Sequence, residues 1–273
     1  MAEQIKFFKK SKTDLTSPNI NITVTDSVAV STGQTIVDRI RNRNNRSAWR
    51  TTESTDAGTT TIEVSMGDAV RFDSILLIKN NFKSYTIQRW NPAGANYVDF
   101  STPINETNNT ESTSYHTFDA VDSSRIKIVI TGTMAADEDK YLYQLIVTQL
   151  EGQLDAWPEI KNPRHVRTIR KSQMLSGKMN ILEAVGRFSC ELKVKYWKND
   201  ADLTLVEDLY FGRNPMLVWL CGGDEAQFSS TRIGYRREDL FLMRPVNDYE
   251  PEWFSGVYST GLNVSLKLDE VVD

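Results

Sequence analysis

The chain has 273 residues, with 32 Lys and Arg against 36 Asp and Glu, a formal net charge of −4. That balance argues against a general nucleic-acid binder. The 40% hydrophobic share is enough for a sizeable core without disulfides or structural metals. The apolar runs at 74–78 and 216–221 are far too short to cross a bilayer, so membrane insertion is not expected.

In chain order, residues 1–19 are polar and irregular, and read as an N-terminal arm that a partner orders. They have basic residues but no apolar segment of the secretory kind, which fits assembly in a cytoplasm. Residues 20–150 are mostly β. At 61–66, Ile62, Val64 and Met66 alternate with Thr61, Glu63 and Ser65. The unbroken run 74–78 predicts a strand covered on both faces. Strands follow at 84–90, 125–130 and 141–150, and the Asn/Thr/Ser-rich stretch 91–116 reads as a long loop available for interaction. Gly152, Pro158 and Pro163 mark 151–164 as a linker, with Trp157 plugging the junction. In 165–273, residues 189–197 alternate with Cys190, Leu192, Val194 and Tyr196 on one face. Residues 201–211 predict the chain's one short helix. Asn199 or Asp200 caps it, Leu203, Val206, Leu209 and Tyr210 form its apolar stripe, and Gly212 ends it. Strands are expected at 215–221, 239–246 and 260–268.

Catalytic signatures are missing. Cys190 and Cys221 read as small core hydrophobes, and no CxxC, HxxxH or HExxH spacing offers a zinc site. His116 and His165 lack a GxSxG neighbourhood, and there is no GxGxxG or GxxxxGK[ST] phosphate loop. The acidic pairs Asp224/Glu225 and Glu250/Glu252 are sequence neighbours of the kind common on solvated loops. A non-enzymatic chain with no cofactor and no metal is expected.

The order of motifs in 20–150 resembles the discoidin, galactose-binding-like jelly roll. Ser47-Ala48-Trp49 matches its Thr/Ser-x-Trp pattern, and Val64-Ser65-Met66-Gly67 matches its V-D-L-G-type strand ending. Phe72, Ile75 and Leu77 match the strand that follows, and residues 84–90 the strand before a turn. Two departures stand out. Asp38 is followed by Arg39, not Gly, so the likeness does not extend to the family's calcium, and residues 91–96 replace its tight Asp-Gly turn. Residues 165–273 resemble the β-sandwich modules of tailed-bacteriophage tail and baseplate proteins, carried by 209–225, 235–246 and 258–271.

The resulting expectation is a mainly β chain, an N-terminal jelly-roll β-sandwich followed by a second β-sandwich-like module with one short helix. The resemblance implies a distal-tail-like virion protein, assembled in the host cytoplasm, forming a homo-oligomeric ring and contacting other virion tail proteins. A head-to-tail neck component is a variant of that view. The alternative is a carbohydrate-binding module for host glycans, with Trp49, Trp90, Asn91 and Tyr97 as its residues. Core packing is the favoured reading of both tryptophans. Arg39, Arg41, Arg43 and Arg46, with neighbouring Arg50, are read as one side of an inter-subunit interface whose other side is Asp137, Glu138 and Asp139. Phe7, Phe8 and Trp253 are expected to be buried between copies.

Overall fold

The computed structural model describes residues 5–26, 37–43, 47–51, 58–154, 159–166, 169–173, 179–183, 187–196, 200–220, 240–255 and 260–271. Arg46, Trp157, Asn199, Cys221, Asp224 and Glu225 lie outside the described residues. The chain is mainly β and divides into two compact units, one of residues 10–150 and one of residues 1–9 with 151–273.

The chain opens in the second of these units with β1 (Lys6–Lys9). The 10–150 unit then supplies β2 (Asn21–Asp26), a short 3-10 turn (Asp38–Arg41), β3 (Trp49–Arg50), β4 (Thr60–Asn80), β5 (Phe82–Asn91), β6 (Asn96–Val98), β7 (Ile104–Glu106), β8 (Ser114–Thr133) and β9 (Tyr141–Thr148). Two long strands build this unit. Residues 60–65 of β4 pair with β2 and with 125–130 of β8. Residues 70–80 of β4 pair with 114–123 of β8 and with β9. The register breaks between Ser65 and Val70, where Gly67 has φ +74, a conformation costly for a residue with a Cβ. The sheet thus folds over on itself. Its first layer is β2, β4, β8 and β5 with β6 and β7; its second is β8, β4, β9 and β3.

The alternation at 61–66 places Ile62, Val64 and Met66 in the core between the layers, with Ile126, Ile128, Ile75, Leu77 and Val147. Ile75, Leu76, Leu77 and Ile78 are all fully buried, as a strand covered on both faces requires. The segment expected to be one loop, 91–116, instead carries β6, β7 and the start of β8. Its side chains at Ile104 and Phe100 are core, and Phe100 packs on Phe118 at 3.9 Å.

The chain returns to the other unit as β10 (Leu150–Gln153), then β11 (Glu159–Val166), β12 (Ile169–Gln173), β13 (Met179–Glu183), β14 (Arg187–Tyr196), α1 (Asp200–Gly212), β15 (Met216–Trp219), β16 (Leu240–Pro245), β17 (Glu252–Ser255) and β18 (Thr260–Glu270). The described strands form a sheet in the order β10-β1-β15-β16-β18-β14-β11, with β17 on β18 and β12–β13 as a separate ribbon. Val206, Leu209 and Tyr210 of α1 join a core with Cys190, Leu192, Val194, Leu262, Val264 and Leu266. Burial pushes the Cys190 thiol up to about 12, so it sits there as an inert apolar group.

Two expectations about the chain's organisation are corrected here. The stretch 6–9, expected in an arm, is a strand between β10 and β15, and Phe7 and Phe8 are fully buried within the chain. Residues 11–17 are also bound. Thr13 donates its hydroxyl to Leu145 O at 2.7 Å, and Lys12 N donates to Val147 O at 2.7 Å. The stretch 151–164, expected as a linker, contributes β10 and β11, and Pro163 lies inside β11, where the register shifts.

Candidate functional site

The first layer of the 10–150 unit has one face on the core and one face outward. Burial of Tyr85 and Ile87 on β5 turns Thr86, Gln88 and Trp90 outward, and burial of Ile126 and Ile128 on β8 does the same for Arg125 and Lys127. The β5–β6 hairpin brings β6 alongside, with Trp90 opposite Tyr97 and Asn91 opposite Asn96. The turn holds itself rigidly. Asn91 Oδ1 accepts from Ala93 N at 3.2 Å, and a Cβ on Gly94 would come within 2.4 Å of Asn96 Oδ1. Ser123 Oγ, next to the register shift where β4 bulges between Ser65 and Val70, donates to Trp90 O at 3.1 Å and pins the strand end.

These placements assemble a patch. The rings of Trp90 and Tyr97 meet edge to face, 5.1 Å between centroids and 71° between planes. The Arg125 guanidinium lies over the Trp90 ring at 5.1 Å, and the Lys127 ammonium over the Tyr97 ring at 4.4 Å. Glu63, on the neighbouring strand, brings Oε1 to 3.8 Å from Arg125 Nη1. Gln88 donates to Asp99 Oδ1 at 2.9 Å on the patch's other side. The Tyr97 hydroxyl is buried and finds no hydrogen-bond partner among the described residues. Burial chiefly, and then the Glu63 carboxylate, raise its pKa, with Arg125 opposing.

Of the residues expected to bind sugar, the structure brings together Trp90, Asn91 and Tyr97. Asn91 serves the turn, its side-chain oxygen already taken by Ala93. Trp49 is elsewhere. It is fully buried in the hydrophobic cluster with Val37, Ile40 and Leu142, where no sugar can reach it. Arg125, Lys127 and Glu63 were missed. Their signal was present: residues 125–128 alternate charged and apolar, and 61–65 alternate polar and apolar, but sequence does not show which strands become neighbours.

The arginine cluster is put to internal use. Arg41 donates from Nε to Thr13 O at 3.0 Å and from Nη2 to Asp14 O at 3.0 Å and Ser17 O at 3.3 Å, with Asp38 at 3.2 Å. Arg43 pairs with the buried Asp14 carboxylate at 3.0 Å. Arg39 donates to Ala48 O at 3.4 Å, and Arg50 lies over Tyr141. Arg41 and Arg43 thus clamp 13–17 onto the unit. On the acidic side, Asp137 adopts φ 56, while Asn81 Nδ2 donates to Glu138 Oε2 at 3.2 Å and to Asp139 O at 2.9 Å. The two groups are held by different partners within the unit.

The other unit has a groove of about 590 Å³ between β10 and α1, walled by Glu151, Asp202 and Asp208. Burial raises the Glu151 pKa, Lys9 opposes and Asp208 reinforces. No group of three or more metal-ligating side chains occurs among the described residues.

The sequence matches no protein-family model and no curated protein. Among solved structures, those similar to it include carbohydrate-binding modules and, over less than a third of their own length, fucosidases from Ruminococcus gnavus and Bacteroides thetaiotaomicron. Chitosan-binding module 1 of a chitosanase/glucanase from Paenibacillus sp. IK-5 is 21% identical over 46% of this chain and 94% of the module, with TM-score 0.38. Chitosan-binding module 2 of that enzyme, in complex with chitotriose, is 19% identical over 46% of this chain and 95% of the module, TM-score 0.38. CpGH89CBM32-6, produced by Clostridium perfringens, is 12% identical over 51% of this chain and 99% of the module, TM-score 0.38.

Proposed function

We propose that the 10–150 unit is a glycan-binding module and that the outward patch on β5, β6 and β8 is its site. The observation that carries this is the pairing of two half-buried rings, Trp90 and Tyr97, on a solvent-facing sheet, ringed by Arg125, Lys127, Glu63 and Gln88. A sugar presents C–H groups and hydroxyls side by side. It therefore needs apolar surface next to donors and acceptors that are already in position. The rings supply the first. The cations donate, Glu63 accepts, and the backbone pins at Asn91 and Ser123 hold the geometry before the ligand arrives. The unit's role is binding, with no bond made or broken.

The test is a glycan array followed by calorimetry on the full chain. Trp90→Ala and Tyr97→Ala should each weaken binding about tenfold or more, as loss of an aromatic contact of 1–2 kcal/mol implies. Thermal unfolding should stay close to wild type, because both rings sit outside the core cluster. Wild-type binding by both variants, or an array with no hits, rules the site out.

A second reading, a self-assembling tail component of a virion, finds support in the other unit. Trp253 is 78% exposed and Phe211 65% exposed, unusual for rings of that size on a surface. In that reading the partners are further copies and other tail proteins. A single-copy mass in solution at high micromolar concentration counts against it.

A further inference from the structure

The proposed patch has a feature that selects among glycans: its cations lie on its rings. Arg125 occupies a face of Trp90 and Lys127 a face of Tyr97. A neutral sugar that stacks flat on either of those faces must first push a cation off it and lose that cation–π contact. The cations themselves have donors to spare. The Arg125 guanidinium carries five N–H donors, and its ion-pair partner Glu63 stands at 3.8 Å, beyond hydrogen-bonding reach. The Lys127 ammonium has no ion pair or hydrogen bond among the described residues, although Gln88 and Glu63 are its cross-strand neighbours.

Arg125 and Lys127 are two apart on β8, so their side chains leave the same face about 7 Å from each other. A carboxylate spans that interval when a forked guanidinium takes one edge and an ammonium approaches the other. Glu63 keeps Arg125 from swinging away and offers an acceptor to a neighbouring hydroxyl. We infer that the site takes an acidic sugar, a hexuronate or other carboxylated residue. Its carboxylate is held between Arg125 and Lys127, and its C–H flank lies along the edges of Trp90 and Tyr97. This rests on the glycan reading of the same patch and adds the chemical class of the ligand.

The experiment uses the full chain and pairs each acidic oligosaccharide (oligogalacturonate, a glucuronate-containing oligomer, a sialylated trisaccharide) with its methyl ester, which keeps the sugar and removes the charge. Poly-L-glutamate serves as the non-sugar carboxylate. At least one acid should bind about tenfold tighter than its ester, the range of one charge-assisted hydrogen bond. Lys127→Gln should erase that preference by bringing the affinity for the acid down to that for its ester. Equal affinity for acid and ester overturns the inference but leaves a glycan site. Equal binding of poly-L-glutamate and the acidic sugars shows a charge patch without sugar recognition and overturns it too. No binding by any sugar, acid or ester, brings down the inference and the glycan site together.

Discussion

His116 shows what position, not identity, does to a side chain. It stands on the second layer of the 10–150 unit opposite Ile75, and Tyr85 stands on the first. The Tyr85 hydroxyl and His116 Nε2 meet across the core at 2.8 Å. Burial lowers the His116 pKa to about 4, against 6.5 for the free group, so the ring is neutral at pH 7. A base whose folded pKa lies below its unfolded value gives the unfolded chain more protons in the window between them. Stability is therefore intact above about pH 6.5 and declines as pH falls towards 4, by about 3 kcal/mol for this group alone. Urea unfolding of wild type and His116→Gln at pH 7.5 and 4.5 checks this. The variant should be weaker at pH 7.5, having lost the Tyr85 contact, yet should show less decline between the two pH values; an identical decline would dismiss the pair as its source. From sequence, His116 is a lone histidine in a polar stretch, because its partner is 31 positions away on the facing layer. The tryptophans teach the same lesson. Trp49 and Trp90 each stand next to an arginine, Arg50 and Arg89, and only strand pairing makes one core and the other surface.

At the scale of elements, periodicity carries well and strand continuity does not. The 3.6-residue stripe Leu203, Val206, Leu209 and Tyr210 appears as α1, with Val206 fully buried and Leu209 at 6% exposure. Leu209→Ala should cost about 2–5 kcal/mol, the range for a cavity in a packed core, measured by chemical denaturation of the unit that contains it. A cost near zero would mean that the helix does not hold its sheet. Gly152 supports the same packing: a Cβ there would meet Leu205 at 2.6 Å, so the helix rests directly on β10. Residues 61–66 and 74–78 read as two separate strands because the pattern lapses at Gly67-Asp68-Ala69. They are one strand, β4, which crosses from layer to layer through that lapse. The candidate site inherits this limit. Trp90 and Tyr97 are close in sequence and were legible as a pair. Arg125, Lys127 and Glu63 reach them only because β5 and β4 both lie against β8.

For the whole molecule, the decisive fact is that one unit interrupts the other. β1 and β10 are neighbours in one sheet, and the entire 10–150 unit is strung between Lys9 and Glu151. No local pattern announces this, since a four-residue strand looks like any short apolar break in a polar arm. Two consequences separate this arrangement from a tandem of modules with a free tail. Removing residues 1–9 takes Ile5 and Phe7 out of a core and leaves β10 and β15 without the strand between them. The loss of Phe7 alone is worth about 3–5 kcal/mol, a large part of the 5–15 kcal/mol that holds a typical domain folded. The truncated chain should therefore lose the transition of the 151–273 unit, followed by its tryptophan fluorescence, while the 10–150 transition persists. Conversely, joining Lys9 to Glu151 through a short Gly/Ser turn should give a folded protein without the 10–150 unit, because both cut ends already lie side by side. Dispersed amide resonances from that shortened chain are the expected result. A collapsed spectrum would show that the interrupted sheet cannot close without the unit inserted into it.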